Sequence, residues 1–234
     1  MATVALAGST GLVGGNILTT LSNLEDVNTI HAFARRELAG HAKLKAIVSS
    51  DTATWAAQYP QNTDLLISSL GTTRANAGGL EAQRKVDYDL ALDLAKAAKA
   101  AGTKAYVLIS TAGASSASSF AYPKMKGELE DAMKALGFDH TVIVRPGLIV
   151  GARSETRMLE GTFRHMATLM GSVSGNRLKD FWAQDADVIA KAAVRAGLDC
   201  VEGKQKEKNV LLSQSDIVRL GRTEWVGGVV STIR

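Results

Sequence analysis

Three side chains in the middle of the chain could share one piece of proton chemistry. Tyr122 and Lys126 stand at i and i+4 in AYPKMKGELE, and Ser110 precedes them at the end of the apolar stretch Tyr106 to Ile109. On a helix this spacing puts a phenol and an ammonium on one face. A phenol with a pKa of about 10 is a poor acid or base at neutral pH unless a nearby cation stabilises the phenolate. Lys126 would supply that cation and also hold a nicotinamide ribose. Ser110 could then hydrogen-bond a substrate carbonyl while Tyr122 passes it a proton and the cofactor passes it a hydride. A tyrosine and a lysine also occur four apart on solvated helices by chance, and the chain has four tyrosines. Position selects the chemical reading: the pair follows the fifth expected strand, behind a serine. Pro123 complicates the helix start, because it disfavours helical geometry at Tyr122 but is tolerated in a first turn.

A nicotinamide nucleotide needs a cradle, and the N-terminal segment has one. After the apolar run Val4-Ala5-Leu6-Ala7 comes AGSTGLVG, with Gly8, Gly11 and Gly14 in a Gly-x-x-Gly-x-x-Gly pattern. The first glycine permits the tight turn, the second lets backbone approach a pyrophosphate, and the third lets helix pack on strand. The following helix would offer free N–H groups and its positive dipole end to the phosphates. Glycine turns are common after strands; a place in the first β-α unit makes this one specific. No Lys-Ser or Lys-Thr follows, which excludes a kinase-like phosphate loop.

At the end of the second strand, where a carboxylate would bind the ribose hydroxyls of NAD, stand Arg35 and Arg36. Guanidinium groups match a 2′-phosphate and offer no acceptor to a free hydroxyl, so NADP(H) is favoured, with Arg35 the better candidate. Two surface arginines closing a strand are the plainer alternative.

The elements that must position these residues alternate along the chain. Helical segments are expected at Leu12 to Leu24, Leu80 to Ala101, Met125 to Leu136 and Ala186 to Ala196. Buried strands are expected at Ile30 to Ala34, Ala46 to Val48, Leu65 to Leu70, Tyr106 to Ile109, Thr141 to Val144 and Val210 to Leu212. In the long helix Val86, Leu90, Leu94 and Ala97 follow helical spacing, and Gly102 supplies a stop. Repeated β-α-β units require right-handed crossovers and a parallel sheet covered on both faces. The expectation is a single-domain, doubly wound α/β fold of the Rossmann type. A small substrate lid is expected at about residues 151–182, where Met158, Phe163, Met166, Met170, Phe181 and Trp182 suit a hydrophobic carbonyl substrate or simple core packing.

Composition narrows the partners. The chain has 234 residues, 46% hydrophobic and 21% charged, the balance of a globular protein. A net charge of +4 and a pI near 9.2 favour anionic partners, but no aromatic-basic array points to nucleic acid. Lys204, Lys206 and Lys208 read as a solvated loop. The lone Cys200 excludes an internal disulfide and reads as a bystander thiol. His31, His41, His140 and His165 lack metal-ligand spacing, and no Gly-x-Ser-x-Gly elbow supports a hydrolase. No run approaches the ~18 apolar residues of a membrane span. A cleavable presequence would remove the first strand with its glycine loop, so the reading expects uncleaved import or none.

The strings LGTTR (70–74), LISTAGASSASSFAYPKMKGELE (108–130) and IVRPG (143–147) resemble the atypical short-chain dehydrogenase/reductase family. Within it they resemble the Tat-interactive-protein branch and its small fungal members of the mitochondrial outer membrane. The resemblance runs from residue 3 to about 220. It implies Ser110, Tyr122 and Lys126 as the catalytic set. It implies Gly8, Ser9, Thr10, Gly11, Leu12, Val13, Gly14, Arg35 and Arg36 as cofactor ligands, with Tyr122 and Lys126. It further implies that Asp51 lies near the adenine, that Leu70 and Gly71 line the cofactor, and that the Pro146-Gly147 turn meets the nicotinamide. Peripheral attachment to the cytosolic face of the outer membrane is implied as well, with the cytoplasm as the fallback. Pro123 and the glycine-rich tail Trp225 to Arg234 depart from the pattern; the tail reads as an edge strand rather than an anchor.

Two functions follow as expectations. One is an NADPH-dependent reductase of a small carbonyl substrate, with Tyr122 as proton donor. The other is a non-catalytic NADP(H)-binding module that senses redox state in a regulatory or membrane-associated complex. Retention of Ser110, Tyr122 and Lys126 favours the enzyme, since a sensor needs no Tyr122.

Overall fold

A computed structural model describes residues 1–151 and 183–225. The apolar run Ala2–Ala7 becomes β1, the middle of a sheet, because nothing in it needs water: Val4, Ala5, Leu6 and Ala7 are fully buried. The glycine turn leads to helix α1 (Leu12–Asn23), which turns Val13, Gly14, Ile17 and Leu21 inward. Strands β2 (Val27–Ala34) and β3 (Leu44–Val48) follow, then two short 3₁₀ turns, β4 (Leu65–Ser68) and a short helix α2 (Arg74–Ala77). Next come α3 (Leu80–Arg84), a π-turn (Lys85–Asp89) and α4 (Leu90–Ala100), one continuous helix with a single widened turn. Then follow β5 (Ala105–Ile109), α5 (Ala121–Ala135), β6 (His140–Val144) and β7 (Leu148–Val150). Beyond residue 182 lie β8 (Ala183–Asp185), α6 (Ala186–Val201), β9 (Asn209–Leu212), α7 (Gln214–Val218) and a second π-turn (Arg219–Thr223).

Seven strands form one parallel sheet in the order β3-β2-β1-β4-β5-β6-β9. The fold is a single-domain, Rossmann-like doubly wound sheet. One core holds α1 and α6 against the sheet through Ile17, Leu21, Leu65, Val107, Ile189 and Val194. The other holds α4 and α5 through Leu94, Ala95, Leu129, Met133 and Phe138. Helix α6 buries most of its residues and leaves one charged stripe, Asp187, Lys191, Arg195 and Asp199, outside, paired at i and i+4. It runs on through Gly197, a stop signal by type, to Val201.

Strand order reverses between β1 and β4, and such a switch point opens a crevice at the carboxyl ends of the strands. The Ser69 N–H and hydroxyl both donate to the Ala7 carbonyl, at 2.9 and 3.0 Å, so the two strand ends are knitted just beneath the glycine turn. A small parallel pair, β7 with β8, was not foreseen; strands of three residues carry too little pattern to read. Helix α7 was also missed, although Ser213 and Asp216 form a complete capping box at its start. Apart from Gly151, the expected lid lies outside the described residues, as do residues 226–234 of the tail; Trp225 packs against the α1/α6 core.

Candidate active site

The glycine turn is built as a cradle. Gly8 has φ +88°, and a Cβ there would stand 2.6 Å from the Ser69 carbonyl oxygen. At Gly14 a Cβ would stand 2.0 Å from the Gly8 carbonyl oxygen. Backbone fills the space on both sides, so only glycine allows α1 to start this close to β1 and β4. Gly11 is the N-cap of α1 and brings no side-chain cap, and the first turn carries no acid. The first-turn amides of Leu12, Val13 and Gly14 therefore have no intrahelical acceptor, which is what a bound phosphate exploits. Thr10 is exposed on the same turn, and Ser9 is buried with its hydroxyl directed at the Phe33 carbonyl, 3.4 Å away. This geometry fits a dinucleotide pyrophosphate.

Arg35 and Arg36 follow β2 and are both exposed, at the same carboxyl edge as the glycine turn. Asp51, after β3, is exposed and caps a 3₁₀ turn by accepting from the Ala53 N–H at 3.1 Å. Leu70 and Gly71 lie beyond β4, Leu70 buried and Gly71 exposed. Pro146 accepts from the Ala112 N–H at 2.8 Å, and Gly147 donates its N–H to Gln184 at 2.7 Å. Gly8, Arg35, Arg36, Asp51, Leu70, Gly71, Pro146 and Gly147 all lie shortly after the carboxyl ends of their strands.

Helix α5 begins at Ala121, which puts Pro123 in the first turn, where its missing N–H has no partner to lose. Tyr122 and Lys126 share a helical face but not an environment. Lys126 is 2% exposed, and its ammonium donates to the Ile109 carbonyl at the end of β5, at 3.0 Å. Burial lowers its pKa, and the carboxylates of Asp87 and Glu130 oppose that fall. Tyr122 keeps 40% of its surface open. Burial first and the Asp87 carboxylate second push its phenol up to about 12, a rise that water on the open side partly screens.

Ser110 is held by a partner the sequence reading did not foresee. It is 5% exposed, and its hydroxyl donates to Glu130 Oε1 at 2.5 Å. Glu130 is 1% exposed and receives a two-pronged Arg145 guanidinium, Nε to Oε1 at 3.0 Å and Nη2 to Oε2 at 2.5 Å. With its one proton given to Glu130, Ser110 must rotate before it can donate to a carbonyl. Arg145 would keep Glu130 partnered during that rotation.

Sequence reading passed over Asp87, Glu130 and Arg145. Glu130 and Arg145 sit inside strings already singled out, yet a pair split between a helix and a strand end has no spacing that announces it. Asp87 was hidden because the helix was read through its apolar residues. The inward face carries Gln83 and Asp87 together with Ala91, Leu94, Ala95 and Ala98, while Val86, Leu90 and Ala97 are only partly buried.

Known proteins resemble this chain in sequence and in fold. The HIM1 family model matches residues 38–174. The chain is 51% identical over 232 residues to "Protein fmp52, mitochondrial" of Aspergillus clavatus, covering 94% of this chain and 99% of that one. It is 43% identical over 231 residues to "Protein fmp-52, mitochondrial" of Neurospora crassa, covering 94% and 96%. Among solved structures, the fold resembles the Bordetella bronchiseptica enzyme WbmH in complex with NAD+, at TM-score 0.65, 18% identity and coverage of 90% and 74%. It resembles a short chain dehydrogenase family protein of Francisella tularensis at TM-score 0.64, 14% identity and coverage of 92% and 98%. At those identities the structures speak for the fold alone, whereas the fungal sequences match along nearly their whole length, and the chain belongs to the HIM1 family, with the fungal mitochondrial Fmp52 proteins as members at its side.

Proposed function

We propose that this protein is an NADPH-dependent oxidoreductase of the short-chain dehydrogenase type, of the Tat-interactive-protein branch, that reduces a small hydrophobic carbonyl compound. One observation carries the reading: the buried Lys126 and the half-open Tyr122 on α5 stand at the same sheet edge as the uncapped glycine turn. The first-turn amides of α1 would hold the pyrophosphate, exposed Arg35 and Arg36 a 2′-phosphate, and Lys126 the nicotinamide ribose. Bound there, the dihydronicotinamide supplies the hydride. Tyr122 delivers the proton to the carbonyl oxygen, and Ser110, turned away from Glu130, orients that oxygen. In the same reading Asp51 flanks the adenine, Leu70 and Gly71 line the cofactor, and the Pro146-Gly147 turn meets the nicotinamide.

The non-catalytic reading, an NADP(H)-binding redox sensor, draws on one specific observation: the Ser110 hydroxyl is already engaged by Glu130. The relatives' names favour a mitochondrial address, and we place the chain peripherally at the cytosolic face of the outer membrane. No helix among the described residues is long and apolar enough to cross a membrane.

The test is a panel of carbonyl compounds scored by NADPH absorbance, run beside calorimetry of NADPH and NADH. Tyr122→Phe should reduce turnover by at least about 100-fold, the low end for a general acid, while leaving NADPH affinity nearly unchanged. Activity that survives in the variant would remove Tyr122 from the mechanism. A silent panel with tight NADPH binding would favour the sensor.

A further inference from the structure

The segment that leaves β4 is anchored at one end and hinged at the other. Ser69 stands against the glycine turn: its carbonyl oxygen lies 2.6 Å from where a Gly8 Cβ would be, and its hydroxyl 2.5 Å from a Gly14 Cβ. Three residues on, the long helix takes both backbone groups of Thr72. The Thr72 N–H donates to Asp87 Oδ1 at 2.7 Å, and its carbonyl accepts from Gln83 Nε2 at 3.0 Å. Gln83 and Asp87 are buried, so this root belongs to the core.

Beyond the root the chain closes on itself in α2. The Thr73 hydroxyl accepts from the Asn76 N–H at 3.3 Å and the Thr73 carbonyl from Ala77 at 2.9 Å. The Arg74 carbonyl accepts from Gly78 and Gly79 at 3.1 and 3.0 Å. This tip holds its own shape yet buries no residue, and Thr73 to Asn76 are exposed. Its heel is Gly78-Gly79, at φ +85° and +149°, which only glycine adopts without strain. No atom lies within 4 Å of the Cβ position of either. At Gly8 and Gly14 close packing demands glycine; at the heel the backbone alone demands it, and nothing packed around it resists a turn. A rigid tip between a fixed root and an open heel is built as a hinged strap.

The tip carries a cation. Among the described residues neither an acid nor a carbonyl engages the Arg74 guanidinium. Its Cα is two residues from the Thr72 root, at most about 7 Å away, on the same strand end that abuts the glycine turn. The glycine turn and the first turn of α1 contain no Lys or Arg, so the cradle offers a pyrophosphate amides and a dipole but no full positive charge. Arg35 and Arg36 stand at the end of β2, where a 2′-phosphate would lie.

We propose that residues 73–79 form a strap that closes on a bound dinucleotide, with Arg74 as the counter-charge to its pyrophosphate. The inference rests on the dinucleotide reading of the glycine turn. The ordinary alternative, a loop arginine left in water, would be indifferent to the cofactor.

Trypsin reads the strap without any turnover. The bond after Arg74 is exposed, and Lys206 and Lys208, exposed before β9 at the opposite end of the strands, serve as internal controls. Saturating NADPH should slow cleavage after Arg74 at least about tenfold and leave the control cleavages unchanged. Calorimetry supplies the second arm. Arg74→Gln should weaken NADPH binding about tenfold, and Arg74→Lys should restore part of the loss. Adenosine 2′-monophosphate, which has no pyrophosphate, should bind the unaltered protein and both variants alike. Equal cleavage with and without NADPH, or unaltered NADPH affinity in Arg74→Gln, overturns the proposal. An equal loss of affinity for the monophosphate also overturns it, since Arg74 would then serve the other phosphate. An unaltered protein that binds no NADPH overturns the dinucleotide reading and the strap together. A silent carbonyl panel beside a protected Arg74 bond would count against the reductase and not against the strap.

Discussion

Removing Arg145 should damage the protein far more than neutralising Glu130, and the asymmetry follows from where each end of the pair can go. The side chain of Glu130 is 1% exposed and that of Arg145 is 27% exposed. In Glu130→Gln the guanidinium can turn to water, and the amide that replaces the carboxylate still offers an oxygen to it and to Ser110. The loss is that of charge-assisted hydrogen bonds, about 1.5–3 kcal/mol. In Arg145→Met the carboxylate stays in the core with the Ser110 hydroxyl as its remaining partner, and leaving a buried charge uncompensated costs about 3–5 kcal/mol. For a chain of this size each kcal/mol moves the melting temperature by about 2–4 °C, so Arg145→Met should melt roughly 6–20 °C lower. Glu130→Gln should lose less than that, and the double variant less than the sum of the two, with a coupling of about 1–3 kcal/mol. Urea unfolding and thermal melts of the four proteins at pH 7 measure all of it. Equal losses for the two single variants, or additive losses in the double, would refute the burial argument.

Other outcomes are equally specific. The Asp87 carboxyl is raised to about 6 from an ordinary 3.8, so its protonation stabilises the fold fully below about pH 4, and that stabilisation is lost as pH rises through about 6. Asp87→Asn, which mimics the protonated form, should therefore be more stable than the unaltered protein at pH 7, by up to about 3 kcal/mol, and should lose that advantage by about pH 4 in matched thermal melts. Gly14→Ala places a Cβ 2.0 Å from the Gly8 carbonyl oxygen. It should cost about 1–3 kcal/mol in unfolding experiments and abolish NADPH binding by calorimetry; binding at unaltered affinity would exclude the glycine turn as the cradle. Arg35→Asp should reverse a preference for NADPH over NADH, and equal affinities in the unaltered protein would remove the premise.

The parallel sheet was legible because each strand is a short apolar run bounded by turn residues, and the alternation with helices allows little else. Tyr122, Lys126 and the glycine turn were legible because their chemistry depends on local spacing. Asp87 and the Glu130–Arg145 pair were not, since each depends on which face of a helix meets which strand end, a relation between residues far apart in the chain. The expected role of Ser110 came from its place after β5. Its hydroxyl's partner, Glu130, is twenty residues away on α5 and invisible to that reading.

A π-turn is a helix with one residue too many, accommodated without disturbing the turns on either side. The stretch Leu80–Arg84, Lys85–Asp89, Leu90–Ala100 is thus one helix that holds a residue more than regular α-turns would, and Asp87 on the widened turn accepts from the Thr72 N–H beyond β4. Deleting the exposed Lys85 should heal the helix into regular α-turns and keep Asp87, Ala91, Leu94 and Ala98, already spaced as one α-helical face, turned inward, so that the rotation falls on Leu80–Arg84.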